Sequence, residues 1–240
     1  MKVAVLMGGK SFEREVSLAS GKVVCEALEE AGHKVVPLDT NADLVPTLRS
    51  ERPDVVYNAL HGKHGEDGTI QGLFQLAGIP FVGCDAISSA NCMDKEMTHT
   101  IMEAHGIQMA KWLRVDNEKM QDFDAFAKQA EQKLCDHLKG KVLLPKYFKT
   151  ENRIKGSSVG VGKAHDRAEL KSACLHALQE DYKAVVEECI EMQEVETAVL
   201  GNSNPQAAGV VGELVPVVEF YTYEAKYIDG TTALHIPGRV

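Results

Sequence analysis

The chain has no excess of basic residues, no paired cysteines and no long apolar run, and each absence argues against a class of protein. Its 26 Lys and Arg stand against 35 Asp and Glu, a formal net charge of -9 over 240 residues, which argues against non-specific nucleic-acid binding. The six cysteines are scattered, without a Cys-x-x-Cys pair or a histidine-rich segment, so a zinc site is not expected. No stretch approaches the ~20 apolar residues of a membrane span, and the first apolar run is too short for a signal peptide. We expect a soluble, cytoplasmic protein with a small-molecule partner and with no nucleic-acid or membrane partner.

Short apolar strands alternate with amphipathic helices along the first hundred residues. KVAVLMGG, KVVPLD, DVVYNAL and PFVGC have the apolar runs of buried strands. SLASGKVVCEALEEAGH and GTIQGLFQLAG have apolar residues at helical spacing, and the first of these helices is expected to stop at Gly32. This alternation predicts an α/β fold that begins with a doubly wound, Rossmann-like parallel sheet.

The pattern changes near Ser88 and again after residue 182. DKEMTHTIMEAHGI and DFDAFAKQAEQKLCDHLKG are typical of helices, and VLLPKYFKT and VGKAH are typical of strands that meet in a hairpin at 156–160. A third block contains KAVVEECIE, VETAVLGN and GELVPVVEFYTYEAKYIDG, antiparallel in style and joined by Asn, Gly and Pro turns. We expect three regions, 1–87, 88–184 and 185–240.

The loop KGSSVGVGK, residues 155–163, has a composition that suits phosphate binding. It does not fit the Walker A pattern, because Ala164 stands where the hydroxyl residue should be, and it lies between two strands. It can be a solvated hairpin turn, or a flexible hairpin whose backbone N–H groups and serine hydroxyls cover phosphates. The loop's own residues leave both interpretations open.

Two further loops combine glycine with charged side chains where the first and third predicted strands end. In GGKSFEREVS, residues 8–17, Glu13 can cap the following helix or hold a substrate ammonium at the carboxyl edge of the sheet. In NALHGKHGEDG, residues 58–68, His61 and His64 can ligate a metal, but a loop that positions an anion or a reacting group is the more economical interpretation.

These segments together resemble the D-alanine–D-alanine ligase family of the ATP-grasp superfamily. GGKSFEREVSLASG, ALHGKHGEDGTIQG, MDKEMTHTIMEAHGI, GSSVGV and FYTYEAKY occur in the family's order and close to its spacing. The resemblance implies a Rossmann-like (pre-ATP-grasp) domain at 1–87, a central ATP-grasp domain at 88–184, and a partial C-terminal ATP-grasp domain at 185–240. It also implies ATP-dependent joining of two D-alanines through a D-alanyl phosphate for peptidoglycan synthesis, with Mg2+, and a homodimer formed through the N-terminal domain.

The resemblance also implies roles for individual residues. Glu13 would bind the ammonium of the first D-alanine, His61 would lie beside the carboxylate being activated, and Ser157 and Tyr227 would link with Glu13 to hold the closing loop. The implied ATP contacts are Lys95, Lys149 and Lys226 at the phosphates, Ser158 in the covering hairpin, Glu187, Glu188 and Ile190 at the adenine hinge, and Glu194 at the ribose.

Three departures from the family pattern qualify the resemblance. Lys149 is followed by TENRIKGSSVG where the family reads VKPSxxGSSVG, and Met192 stands where a glycine is common. The sequence ends at LHIPGRV, before the R-x-D strand and the N-x-x-P-G segment to which the family's magnesium ligands belong. We therefore expect the magnesium ligands in that further segment and no activity from these 240 residues alone. The alternatives are a non-catalytic ATP-grasp remnant that binds nucleotide, D-alanine or a partner chain, and a D-alanine–D-lactate or D-alanine–D-serine ligase.

Overall fold

The computed structural model describes residues 1–40, 43–134, 148–152, 161–190, 193–215 and 233–239, and for 148–152 it describes the backbone alone. In chain order the elements are β1 (Lys2–Met7), α1 (Arg14–Glu30), β2 (Lys34–Asp39), α2 (Leu44–Glu51), β3 (Val55–Asn58), α3 (Thr69–Ala77), β4 (Phe81–Val82), α4 (Ala86–Met93), α5 (Lys95–Ala104), β5 (Trp112–Asp116), α6 (Asn117–Gln121), α7 (Phe123–Leu134), β6 (Phe148–Asn152), β7 (Gly162–Ala164), α8 (Arg167–Glu180), β8 (Lys183–Glu188), β9 (Glu194–Glu196), β10 (Val199–Leu200), β11 (Gln206–Ala207), β12 (Gly212–Val215) and β13 (Ala233–His235). No helix among the described residues is long and apolar enough to cross a bilayer.

The first four strands form a parallel sheet in the order β2-β1-β3-β4. Helices cover it from both sides: Leu6 of β1 belongs to a core with Phe74 of α3, and Val5 belongs to a second core with Leu28 of α1. Strands buried on both faces are expected to be continuous apolar runs, as in the predicted segments. The Rossmann-like prediction is confirmed.

A second, antiparallel sheet has the order β5-β8-β6-β7. Its core includes the fully buried Val186 of β8 and Leu170 of α8, together with Phe126 of α7. β6 and β7 pair antiparallel, with Lys149 opposite Lys163, as predicted for the strands on either side of the glycine-serine loop. Residues 153–160 of that loop lie outside the described residues.

The structure changes two details of the predicted organisation. The segment KAVVEECIE was expected with the third region, but β8 pairs with β5 and β6 of the second sheet. β5 itself, WLRVD, is a strand that the apolar patterns do not predict. The three-region division stays a prediction, and its boundary after residue 184 would cut β8.

A third, antiparallel sheet has the order β13-β12-β9. The Glu213 carboxylate of β12 is 3% exposed and accepts hydrogen bonds from Arg239 Nε at 2.7 Å and from the Arg239 backbone N at 3.0 Å. Hydrogen bonds from Arg239 and Gln193 lower the pKa of the Glu213 carboxyl to about 2. This ion pair joins β12 to the chain that follows β13.

α1 lies directly against β1 at a buried glycine. A Cβ on Gly21 would be 2.6 Å from Met7 Cβ, a separation at which one of the two elements must move. Gly72 of α3 differs, because a Cβ there would meet only Ala86 Cβ at 4.0 Å. The contact with β1 therefore excludes a side chain at position 21, whereas position 72 has room for a methyl group.

We expect Gly21→Ala to destabilise the protein by about 1–3 kcal/mol through overpacking. We expect the matched control Gly72→Ala to stabilise it by about 0.5–1 kcal/mol, because alanine loses less backbone entropy in a helix. Urea unfolding of the two variants measures both changes. A Gly21→Ala protein as stable as Gly72→Ala would show that α1 is not in tight contact with β1.

Candidate functional site

The first part of the site lies at the carboxyl ends of β1 and β3. Strand order reverses between these neighbours, and ligands bind at such switch points in open α/β sheets. Ser17 fixes the two strand ends, because its Oγ accepts from Gly8 N at 2.9 Å and donates to the Ala59 carbonyl at 2.6 Å. Gly8 and Gly9 have φ of +77° and +83°, which let the chain turn away from β1 before the helix.

Glu13 precedes α1, but its side chain makes no capping hydrogen bond among the described residues. The residue is 5% exposed, and its carboxylate packs so closely on Gly62 that a Cβ at Gly62 would clash with Glu13 Oε2. Gly62 also has φ of +65°. Glu13 therefore stands at the N-cap position without a side-chain capping bond, and its carboxylate lies between the loops that follow β1 and β3.

His61 follows β3 and is held on three sides. Its Nε2 is 3.0 Å from Ser20 Oγ, its Nδ1 is 3.4 Å from Glu66 Oε1, and its carbonyl accepts from Ser11 Oγ at 2.7 Å. The hydrogen bond to Glu66 raises the pKa of His61 above its ordinary value of 6.5; burial opposes this increase, and the charges of Glu66 and Glu13 add to it. The protonated form of His61 is thus favoured near the buried Glu13 carboxylate.

Hydrogen bonds within the loop that carries His61, and to the strand and helix on either side, fix its conformation. Gly62 N donates to Glu66 Oε2 at 2.8 Å, and the Gly65 carbonyl accepts from both Asn58 Nδ2 and Gln71 Nε2 at 2.8 Å.

Two cavities of about 400 and 510 Å³ share His61 in their walls. The part of the chain that the structure describes contains no group of three or more His, Cys, Asp and Glu that could hold a metal ion. The geometry supports a positioning loop.

The second part of the site joins α5 to β8. Asp94 caps α5 by accepting from Met97 N at 3.3 Å, and its Oδ2 is 3.0 Å from the Lys183 ammonium. Glu96 also bonds this ammonium. Burial would lower the pKa of Lys183, but hydrogen bonds to Glu96 and Asp94 raise it overall. Lys95, the first residue of α5, is half-buried and lies between these two acidic residues in the chain.

One turn beyond Lys95, His99 bonds the Glu187 carboxylate through Nε2. The His99 ring stacks on Trp112 of β5, with ring centroids 5.2 Å apart and an interplanar angle of 23°. Glu188 pairs with the segment before β5, because its Oε1 accepts from Lys111 N and its N donates to the Lys111 carbonyl, both at 2.9 Å. The end of β8 is therefore fixed from two sides.

The expected adenine hinge is where the chain leaves the second sheet for the third. β8 ends at Glu188, Ile190 is 50% exposed, and Glu194 begins β9. Gln193, just before β9, donates to Glu213 Oε1 at 2.8 Å. The segment is thus anchored at both ends.

The remaining predicted residues are only partly covered by the structure. The backbone of Lys149 lies directly opposite Glu187 in the β6–β8 register. Ser157, Ser158, Lys226 and Tyr227 lie outside the described residues. Glu13 and His61 are brought together, and α5 links Lys95 with Glu187.

Sequence reasoning missed Ser20, His99 and Lys183. Ser20 lies on α1, and nothing in the local pattern connects it with His61 of a later loop. His99 follows Lys95 by four residues and so lies on the same helix face, which is a usable signal for its proximity to Lys95. Lys183 opens an apolar strand, and no pattern indicates its acidic partners 87 and 89 residues earlier.

Comparison with known proteins gives the same family over both halves. The model described as D-ala D-ala ligase N-terminus matches residues 2–45 and 42–84, and the model described as D-ala D-ala ligase C-terminus matches residues 101–240. The D-alanine–D-alanine ligase of Moorella thermoacetica is 38% identical over 240 residues, which are 100% of this chain and 74% of that protein.

Solved structures agree in fold. The D-alanine–D-alanine ligase of Bacillus anthracis complexed with ATP matches with a TM-score of 0.73 and 26% identity, covering 98% of this chain and 70% of that one. The VanG D-Ala:D-Ser ligase of Enterococcus faecalis matches with a TM-score of 0.75 and 29% identity, covering 100% of this chain and 77% of that one. With both family models and the Moorella enzyme spanning its length, the chain belongs to the D-alanine–D-alanine ligase family, a family of ligases with the ATP-grasp fold.

Proposed function

We propose that this chain binds D-alanine at the Glu13–His61 loops and ATP at the α5–β8 junction, for ATP-dependent formation of D-alanyl-D-alanine. The observation that carries the proposal is the buried Glu13 carboxylate, packed on Gly62 next to His61 at the switch point of the sheet. The dipeptide would serve peptidoglycan precursor synthesis in the cytoplasm, as the family implies.

A carboxylate next to an imidazole is suited to binding D-alanine, which carries one positive and one negative charge. The Glu13 carboxylate has lost most of its water, and a buried charge is stabilised by an opposite charge with hydrogen-bonding capacity, which the D-alanine ammonium supplies. The hydrogen bond to Glu66 raises the pKa of His61 and so favours the protonated imidazole that would pair with the D-alanine carboxylate. The two charges of the substrate would therefore meet opposite charges on two loops that Ser17 and Gly62 hold together.

The ATP site rests on α5. Lys95 stands at the start of this helix, and the Lys183 ion pairs hold the same turn of helix against β8. A lysine in that place can neutralise phosphate charge, the main requirement of phosphoryl transfer. Lys149, Ser158 and Lys226 would complete the phosphate contacts. The Bacillus anthracis ligase solved with ATP supports a nucleotide in this fold.

The reaction transfers the γ-phosphoryl group of ATP to the carboxylate of the first D-alanine and releases ADP. The neutral amine of the second D-alanine then attacks the acyl carbon, the C–N bond forms as the C–O bond to phosphate breaks, and inorganic phosphate leaves while the nitrogen gives up one proton to solvent. Lys95 would hold the triphosphate, His61 would orient the attacking carboxylate, and the 156–160 hairpin with Ser157 and Tyr227 would exclude water. Magnesium would neutralise further phosphate charge, but the described residues form no site that fits it, and no step is assigned to the ion.

Glu187, Glu188 and Ile190 would bind adenine, and Glu194, half-buried at the start of β9, would bind the ribose. A homodimer through the N-terminal region belongs to the same proposal. The second substrate could be D-serine, as the name of the VanG enzyme indicates for that protein.

Glu13→Gln should abolish D-alanine binding, because it removes the charge that pairs with the ammonium and preserves the side-chain shape. Isothermal titration calorimetry with D-alanine measures this, and thermal melting checks the fold. Glu15→Gln is the matched control, since Glu15 is an exposed acid two residues away on α1, and it should bind as the unaltered chain does. Equal D-alanine affinity in the two variants would contradict the assigned role of Glu13.

Lys95→Ala should weaken ATP binding by about 1–3 kcal/mol, the contribution of one charge-assisted hydrogen bond. The control is Lys128→Ala, which removes an exposed lysine of α7 outside the site and should leave the affinity unchanged. Calorimetric titration with magnesium ATP distinguishes the two variants. An unaltered chain that binds no ATP would refute the nucleotide half of the proposal.

Glu66→Gln should lower the pKa of His61 toward its ordinary value of 6.5, because the hydrogen bond to Glu66 is the largest cause of its increase. Imidazole signals in a two-dimensional NMR pH titration report the change, with Glu15→Gln as control. The His61–Glu66 pair contributes to the free energy of unfolding. This contribution is fully present at a pH below the pKa of His61 in the unfolded chain, and it is lost as the pH rises through the higher pKa of His61 in the folded protein. A His61 titration identical in both variants would rule out Glu66 as the cause.

A further inference from the structure

The contact between His99 and Glu187 lies at the expected adenine hinge. Both side chains are largely buried, at 5% and 12% exposure, and His99 Nε2 bonds Glu187 Oε1. The other carboxylate oxygen, Oε2, makes no hydrogen bond with the described residues. One oxygen of Glu187 is thus held by the protein, and the other is left to meet a ligand.

The surroundings of His99 determine which ring nitrogen carries the proton. Nδ1 is buried and has no hydrogen-bond partner among the described residues. A proton on Nδ1 would be a buried N–H without an acceptor, which folded proteins rarely contain. Nε2 therefore carries the proton and donates it to the Glu187 carboxylate, which is an acceptor when ionised. Stacking on Trp112 keeps the ring in this orientation.

We propose that His99 is a positioning residue for base selection: it holds Glu187 so that the hinge presents a hydrogen-bond acceptor to the purine. An acceptor there binds the 6-amino group of adenine and opposes the 6-oxo group of hypoxanthine. This inference rests on the proposed nucleotide site, and it adds the residue that sets the preference for 6-amino purines.

The substitution Glu187→Gln tests this proposal most directly, because it changes the group that faces the purine. The Gln amide has one oxygen and one NH2 group, and His99 Nε2–H can bond only the oxygen. The NH2 group then turns toward the ligand, where it matches a 6-oxo purine. A site built around one fixed donor or acceptor discriminates strongly, because the wrong ligand leaves a polar group unpaired. We expect a preference for ATP over ITP of about tenfold to a hundredfold in the unaltered chain and a preference for ITP in Glu187→Gln.

Removing His99 should remove this orientation. In the double variant with His99→Leu and Glu187→Gln, the amide is free to rotate, and the ATP-to-ITP ratio should fall to within about threefold of unity because either group can face the ligand. His99→Leu alone should reduce the preference for ATP, and His99→Gln should restore most of it, since its amide N–H can replace Nε2–H. His105→Leu is the control, because His105 is exposed and bonds only the Ile101 carbonyl of its own helix.

The experiment measures the affinities of magnesium ATP and magnesium ITP for each variant. Trp112 is the chain's single tryptophan, and its stacking on His99 makes its fluorescence a direct reporter, with calorimetry as the second measurement. Reversed preference in Glu187→Gln and its loss in the double variant support the proposal. If Glu187→Gln still prefers ATP, or the double variant behaves as Glu187→Gln does, the proposal is wrong.

The same data separate this inference from the function on which it rests. An unaltered chain that prefers ATP, with a preference unaffected by His99→Leu, leaves the nucleotide site in place and refutes the role of His99. An unaltered chain that binds neither nucleotide refutes both. If His99→Leu does not fold, His99→Gln combined with Glu187→Gln replaces the double variant: its freely rotating amide can donate or accept, so a retained preference for ITP would overturn the proposal.

Discussion

The buried ammonium of Lys183, held between Asp94 and Glu96, is the contact on which the junction of α5 and β8 depends. It ties the first turn of α5 to the start of β8, two elements that are far apart in the chain. Three charged groups in a place with little water are stable only as a set, because removal of one leaves the others unpaired. The position of Lys95 and the contact of His99 with Glu187 both follow from this attachment.

The loops after β1 and β3 are held together differently, by small polar groups and glycines. Ser17 joins the ends of β1 and β3, Ser11 and Ser20 hold His61 from two sides, and Gly62 makes room for the Glu13 carboxylate. These contacts are short and directional, so they fix two loops against each other without an apolar core between them. Buried charges thus join α5 to β8, whereas hydrogen bonds and a close glycine contact join the loops after β1 and β3.

Much of the fold could be predicted from the sequence, because parallel strands covered on both faces are unbroken apolar runs and their helices have a different period. β5 could not be found in this way, since Arg114 and Asp116 interrupt its apolar residues. β8 was grouped with the wrong neighbours because its partners begin 71 and 35 residues earlier in the chain, and pairing at that distance leaves no local signal. The motif residues Glu13, His61, Lys95 and Glu187 could be named from the resemblance. Their neighbours Ser20, His99 and Lys183 could be identified only from the structure, because each contacts a segment that is remote in sequence.

Gly62 has a consequence for how this chain can vary. Every side chain larger than hydrogen at this position would place a carbon against Glu13 Oε2, and its φ of +65° is already unfavourable for other residues. A substitution at 62 could be tolerated only if the loop after β1 changed in the same step. The loops after β1 and β3 must therefore change together at Glu13 and Gly62, while positions outside this contact can vary independently.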